Sequence, residues 1–566
     1  KMEKVFPRRR RREGTEEEAP ERPPKDRRRR NIMAWYDSAV FYHIYPLGLC
    51  GCARENKGEP EEHFDQLTAW ADHARDLECT AIYIGPLFES EGHGYETRDY
   101  RMVDRRLGTN EDFKKWVAHC HEIGLKVIVD GVFNHTGRSF FAFQDLKANR
   151  ENSRYRDWYC NVNFWGNNEY NDGFSYDNWG GYNLLAKLNL RNPEVKNYHF
   201  DTVRFWVQEF DIDGIRLDAA DVLDFDFMRE LRHLTDSLKP EFWLMGEVIH
   251  GDYSRWANND MLHSVTNYEL HKGLYSGHND HNYFEIAHSI KRLNDICRGI
   301  RLYTFVDNHD VERIATKLNN KEHLFDVTLL LYTVPGIPSI YYGSEFCVEG
   351  RKEQGSDWSL RPCLHLSDFG DAMETNEVTK LCRKLGRLKK EYRELTDGRY
   401  QELLLTNRQF AFGRLFDNSG VIVALNNDDA PAHLEIPVPF AASVAVDLLA
   451  EDLPREQEKE PEDRTPEILD KVNQAIALTA EIDDGFRKMY GHVNAKKDLE
   501  EFCLIPDLPS RIRDLAALHD EIYRTAGAKD ASDHGDLAAC PQVSMENGRL
   551  SVDLPANRGT VIFVKN

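Results

Sequence analysis

Residues 213–247 read DGIRLDAADVLDFDFMRELRHLTDSLKPEFWLMGE. A short apolar run at 214–217 is followed by charged and apolar residues at helical spacing over 226–238, then by a second apolar run at 242–245. Strand, helix and strand in so short a span predict a parallel pair joined by a crossover helix. Each strand runs into a carboxylate, Asp218 after the first and Glu247 after the second. Side chains two apart on a strand share a face, so Arg216 and Asp218 are expected to point the same way.

The same grammar extends in both directions. Apolar runs rich in β-branched and aromatic residues recur at 40–45, 81–85, 126–132, 264–267, 302–306 and 337–341. Helical patterns separate most of them, at 111–123, 194–209 and 283–298, with a last one at 376–392. Eight such strands predict an α/β fold, a closed (β/α)8 TIM barrel. An open doubly wound sheet would carry a Gly-rich phosphate turn after its first strand, and none is present. The connection after the third strand is long and crowded with Trp158, Trp165, Trp179, Tyr155, Tyr159, Tyr170 and Tyr176. Connections of that length are functional or small subdomains, so a lobe over the barrel mouth is expected.

Beyond the last helix the pattern turns all-β, with runs at 401–406, 410–415, 421–426 and 433–436 and a return at 550–554 and 560–564. This predicts a C-terminal antiparallel β-sandwich interrupted by a charged, helical-looking insertion. The expected division is a charged tail at 1–35 and a barrel made of 36–138 and 193–395. A lobe at 139–192 and a β-domain at 396–566, with the insertion at about 451–539, complete it. The tail alternates Arg8 to Arg12 and Arg27 to Arg30 with Glu16, Glu17 and Glu18. It lacks the apolar surface to offset its ordering entropy, so a solvated tail is the plain reading and a basic arm the alternative. The insertion reads as packing or self-association.

A net charge of −23 argues against nucleic acid as partner. Eleven scattered cysteines, with Cys50 and Cys52 the one close pair, suit a reduced, cytoplasmic protein. No apolar run is long enough for a membrane span, and no export signal opens the chain.

Four segments fall where barrel strands end, the place such barrels put catalysis. They are Asp130 to His135, Asp213 to Asp218, Phe242 to Glu247 and Phe305 to Asp310. Singly each has a bland explanation: an ion pair, a solvated strand end, a loop-satisfying Asn-His pair. Jointly they deliver Asp218, Glu247 and Asp310 to one pocket, with Arg216, His135 and His309 beside them. Gathering like charges in a pocket costs stability, which points to function. Cleavage of a glycosidic bond needs one carboxylate to attack and one protonated acid to donate. The shared pocket would raise the acid's pKa, and Arg216 would hold Asp218 ionised. Two histidines with carboxylates could also bind a metal, but the histidines lack tight ligand spacing.

The four segments resemble the signature regions of the α-amylase family of glycoside hydrolases. The resemblance implies that Asp218 is the nucleophile, Glu247 the general acid/base and Asp310 the third carboxylate, which holds sugar hydroxyls. It implies that Arg216, His135 and His309 surround the cleaved sugar, and that Tyr95, in a segment running on to Asp99-Tyr100, stacks on it. Gly336 to Gly343 resembles the last barrel strand. Leu185-Ala186-Lys187-Leu188-Asn189 resembles a motif of the neopullulanase, cyclomaltodextrinase and maltogenic amylase group. That implies α-1,4 bonds in maltodextrins, cyclodextrins and other short α-glucans as substrates, with no cofactor required. Three departures stand out. Ala219-Ala220-Asp221-Val222 follows the nucleophile where that group carries Val-Ala-Asn-Glu. Glu96 follows Tyr95 where Asp is common, and 35 residues leave no room for an N-terminal β-domain. Asn134 matches a calcium ligand of the family, but Val222 stands where a histidine carbonyl often completes that site; calcium stays open. A glucanotransferase using the same intermediate and a non-catalytic barrel are the alternatives; the intact trio of carboxylates argues against the second.

Overall fold

The computed structural model describes residues 34–450 and 543–566, apart from 298 and 547. The expected tail up to residue 33 and the expected insertion between 451 and 539 therefore lie outside the described residues.

Eight parallel strands form one sheet: β1 (Phe41–Ile44), β2 (Ala81–Ile84), β3 (Lys126–Gly131), β4 (Gly214–Leu217), β5 (Trp243–Gly246), β6 (Ser264–Val265), β7 (Tyr303–Phe305) and β8 (Ile337–Tyr341). Their order is β6-β5-β4-β3-β2-β1-β8-β7, and a single parallel bridge between Thr266 and Tyr303 joins the two ends. The barrel is thus closed, but with a thin seam between β6 and β7.

Helices fill the outside, and their ends follow local chemistry. In α1 (Phe64–Asp76) and α2 (Asn110–Glu122) one face is buried against the strands, and Thr109 and Asp112 form a capping box at the start of α2. Helix α3 (Pro193–Phe210) opens with Pro193 behind an Asn192 cap and stops at Asp211, which takes a left-handed φ of 57°. Helix α4 (Phe225–Leu238) is capped by Asp224, whose side chain accepts from the Asp226 and Phe227 amides. Removing such a cap costs about 1 kcal/mol.

Inside the barrel, alternate strand residues face the axis. Phe41, Ala81, Ile128, Trp243, Tyr303 and Ile337 make a dry lower core. Trp243 stacks on Phe41 with ring centres 4.9 Å apart. Burying each large side chain here is worth roughly 2–3 kcal/mol. Two residues further along β1, β2 and β3 stand His43, Tyr83 and Asp130, with Arg216 of β4 in register with Asp130, all buried. The interior changes from oil to charge within one layer.

The long third connection builds a small three-stranded antiparallel sheet from His135–Thr136, Asn178–Trp179 and Tyr182–Lys187. Phe143, Phe174 and Tyr176 fill its core, and an Arg138–Asp172 ion pair at 2.7 Å ties it together. After the barrel comes a sandwich of two antiparallel sheets. The larger contains β9 (Arg399–Leu405), β10 (Gln409–Leu415), β11 (Ser419–Asn426), β13 (Val444–Asp447) and β16 (Arg558–Lys565). The smaller contains β12 (Ala432–Pro437), β14 (Ser544–Glu546) and β15 (Arg549–Leu554). Ile422, Ile436, Val552 and Ile562 pack between them.

Candidate active site

Arg216 is the centre of the barrel mouth. Its register on β4 sets it beside Asp130 on β3, and its Nη1 lies 2.7 Å from Asp130 Oδ1 and 2.9 Å from Asp218 Oδ1. Its Nη2 lies 2.9 Å from Glu247 Oε2. One planar fork therefore spans three carboxyls. The Asp218 amide donates to the Gly131 carbonyl at 3.2 Å and the Glu247 amide to the Leu217 carbonyl at 2.9 Å. The ladder thus continues one residue past the strands and holds both acids rigidly. Ala219, next after Asp218, takes a left-handed φ of 47°, which aims its amide at Glu247 Oε2, 3.1 Å away. A non-glycine residue held there is strained, the kind of local cost found where backbone serves a site.

Asp310 arrives from the end of β7 by another route. Asn308 accepts from the Asp310 amide at 2.8 Å, turning the chain sharply. The Asp310 carboxyl meets His309 Nε2 at 3.0 Å and Arg361 Nη2 at 3.0 Å. His309 Nε2 also meets the Tyr95 hydroxyl at 2.5 Å, and that hydroxyl donates to Asp130 Oδ2 at 3.2 Å. A continuous polar chain thus runs from Asp310 through His309, Tyr95 and Asp130 to Arg216 and the other two acids. All three expected carboxylates, with Arg216, Tyr95 and His309, share one network. His135 joins at its rim, donating from Nε2 to the Tyr95 carbonyl at 3.2 Å, with the Trp179 ring 6.2 Å away.

The electrostatics separate the three acids. Burial pushes Asp218 well above the usual carboxylate range; Arg216 pulls it back, while Glu247, Asp130 and Asp310 push it further up. Glu247 is raised too, first by burial, with Arg216 opposing and Asp310 adding to the rise. The pull of Arg216 on Asp218 has the expected sign, but burial and the neighbouring acids oppose it. One guanidinium is shared by three carboxyls, and the charge of Glu247 adds to the rise of Asp218. Asp310 differs. Burial opposes its charge, but His309, Arg361 and Arg216 together hold it well below the usual range. His135 is pushed down to about 3 by burial and is neutral.

Several positions were out of reach of strand-end reading. Arg361 lies in the loop after β8, donating to the His309 carbonyl at 3.0 Å and to the Tyr45 hydroxyl at 3.1 Å as well as to Asp310. Asp130 was quoted in a motif, yet its work as the bridge between Tyr83, Tyr95 and Arg216 depends on sheet register. Gly85 faces it so closely that an added Cβ would stand 2.7 Å from the Asp130 Cβ, so only glycine fits. Glu96 accepts from the Gly94 amide at 3.2 Å and meets His93 at 3.1 Å. The Asn134 amide lies 3.2 Å from His135 Nδ1, and Val222 is exposed. Among the described residues no group of three or more His, Cys, Asp or Glu could hold a metal ion. A calcium ion at Asn134 would have to rely on that amide oxygen and on carbonyls.

A closed (β/α)8 barrel whose mouth gathers three carboxyls around one arginine defines a glycosidase. The family described as alpha amylase, catalytic domain, matches residues 64–394. A cyclomaltodextrinase of Thermoanaerobacter pseudethanolicus is 30% identical over 426 residues, covering 69% of this chain and 71% of that protein. Neopullulanase 2 of Thermoactinomyces vulgaris is 31% identical over 433 residues, covering 69% and 70%. A solved cyclomaltodextrinase structure superimposes with a TM-score of 0.65 at 28% identity, covering 73% of each chain. The chain belongs to the α-amylase family of glycoside hydrolases.

Proposed function

We propose that the protein hydrolyses α-1,4-glucosidic bonds in maltodextrins, cyclodextrins and related short α-glucans, with retention of anomeric configuration. The observation that carries this is the Arg216 fork, which reaches Asp218 and Glu247 from adjacent nitrogens at 2.9 Å each. Retaining enzymes keep their two carboxyls about 5–5.5 Å apart, a span one guanidinium can bridge. Burial raises both carboxyls against the pull of Arg216, which favours keeping a proton at the site. One proton on two acids is what the first step needs: an ionised nucleophile and a protonated donor.

Asp218 attacks the anomeric carbon while Glu247 gives its proton to the departing oxygen, leaving a glycosyl ester on Asp218. Glu247, now ionised, takes a proton from water, whose oxygen attacks the same carbon and releases Asp218. Asp310, fixed in its charged form, grips ring hydroxyls and favours the distorted sugar. Tyr95 stacks on that sugar, and Arg216, His135 and His309 frame it. These steps use the chain's own groups, with no cofactor; calcium would act on the lobe's structure. We read the chain as dividing at 36–138 with 193–395, 139–192 and 396–566. We place the protein in the cytoplasm, in keeping with the free thiols of all nine described cysteines. Among the described residues no helix is long and apolar enough to cross a membrane.

Proton NMR of the first product from maltotriose tests the chemistry: an α-anomer is expected, and an initial β-anomer overturns it. Products from β-cyclodextrin, pullulan and panose test the substrate class, and failure on all of them with maltotriose refutes it. Glucanotransfer passes through the same ester, so longer products at high oligosaccharide concentration would mark it. For Glu247→Gln, aryl maltosides with good leaving groups should lose less rate than natural substrates, since they need less protonation.

A further inference from the structure

Five of the eight large apolar side chains that stand exposed among the described residues lie on the lobe after β3: Phe141, Trp165, Tyr170, Trp179 and Tyr182. An exposed ring gains little for folding, and apolar patches with a polar rim mark binding surfaces. Two of these rings sit on one hairpin, whose strands Asn178–Trp179 and Tyr182–Lys187 are joined by Gly180 and Gly181. Both glycines take a left-handed φ, 63° and 86°, as the tightest hairpin turn requires. Trp179 and Tyr182 are directly opposed across that turn, which puts both side chains on the same face.

Trp179 reaches the mouth, its ring 6.2 Å from that of His135, and the residue stays 40% exposed. Tyr182 lies over the turn: a Cβ added at Gly180 would stand 3.3 Å from its Cδ2. The chain thus backs the phenol ring on one side, and 64% of the residue is left open. The hairpin is firmly held. Its Asn183 carbonyl accepts from the Tyr176 hydroxyl at 2.6 Å, and Arg138, paired with Asp172, donates to that hydroxyl at 2.7 Å. Polar groups flank the two rings in the chain. The Asn178 amide donates to Asn183 Oδ1 at 2.8 Å, and the Asn183 amide donates to Glu169.

A glucose ring has C–H faces that lie flat on an aromatic ring, and hydroxyls round its edge that bond to amides and carboxylates. We propose that Trp179 and Tyr182 form a two-step platform for glucose units beyond the sugar at the cleavage point, Trp179 next to the mouth and Tyr182 further out. The platform begins at His135, so one chain can lie on it and in the mouth at once. The neutral amides of Asn178 and Asn183 suit an uncharged polyol better than a charged partner. The platform touches no reacting atom, so it binds ground and transition states alike, lowering KM and leaving kcat alone. Linear maltodextrins long enough to reach Tyr182 are therefore favoured over shorter ones. This deepens the proposed function and rests on it.

The test compares Tyr182→Ala, Tyr182→Phe and Trp179→Ala in the full chain, with maltotriose and maltoheptaose as substrates. Tyr182→Ala should raise KM for maltoheptaose roughly fivefold, with kcat moved less than twofold, and raise KM for maltotriose by less than twofold. Trp179→Ala should raise both KM values, since it stands nearer the mouth. Tyr182→Phe keeps the ring and should keep the parent's preference for the longer chain. Calorimetric titration of maltoheptaose into Asp218→Asn, with and without Tyr182→Ala, should show the same fivefold weakening without turnover. An unchanged KM for maltoheptaose in Tyr182→Ala overturns the proposal. So does an equal rise for both lengths, or a Tyr182→Phe that behaves like Tyr182→Ala. If the parent cleaves neither oligosaccharide, the proposed function has failed and the platform falls with it. If the parent cleaves both and the variants match it, the platform alone has failed.

Discussion

The lower and upper halves of the barrel interior come from the same strands yet obey opposite rules. Phe41, Ala81, Ile128 and Trp243 fill the lower half with dry contacts. Two residues on, or four in the case of β5, stand His43, Tyr83, Asp130 and Glu247. Below, every side chain stabilises the fold. Above, burial works against the charges it encloses, and Arg216 offsets only part of that cost. The barrel can carry such a mouth because the core under it is well packed. Stability and chemistry are divided by height along the strand.

Three experiments press on that division. The largest effect is expected from Asp218→Asn. Loss of the nucleophile should lower kcat by about 10⁴-fold, roughly 5.5 kcal/mol of barrier, with a melting point equal to or above that of the parent. A variant that is both inactive and less stable would blur the two halves. Next comes Trp243→Ala in the dry layer, which should cost about 4 kcal/mol of stability in denaturant titration while the folded fraction keeps its turnover. The smallest effect concerns pH. A carboxyl raised on folding favours the folded state when protonated, so its contribution is greatest below the unfolded value. It fades as pH climbs through the folded value. Glu247 is such a group. The stability gained by Glu247→Gln should therefore grow as pH rises from about 4.3. A gap that narrows with rising pH would reverse the sign assigned to that acid.

Much of this was legible in the chain because barrel strands are short and end on their functional residues. The run 213–247 gave both catalytic candidates and the crossover helix, since alternation and helical spacing are local signals. Closure was not local. The expected sixth strand at 264–267 is two residues long, Ser264–Val265, and its partner across the seam lies far along the chain. Arg361 sits in an irregular loop, and its reach to Asp310 depends on how that loop crosses Tyr45. Glu96 was readable as a departure, but only the structure shows its carboxyl shared between the Gly94 amide and His93. The electrostatic balance of Asp218 was the hardest to foresee. It depends on how many acids share one arginine, which spacing along a strand does not tell.

The thin join between β6 and β7 has a consequence for motion. Thr266 and Tyr303 close the cylinder through a single bridge, with the Ser264 hydroxyl accepting from the Tyr303 amide at 2.9 Å. Glu247 follows β5 on one side of that gap and Asp310 follows β7 on the other. A sugar gripped by both acids would act as a staple across the breach, so occupancy should quiet the breathing of the whole ring. Deuterium uptake at the amides of Asn267 and Tyr303, which bond across the join, should be fast for barrel strands in the free protein and slow when an oligosaccharide is held.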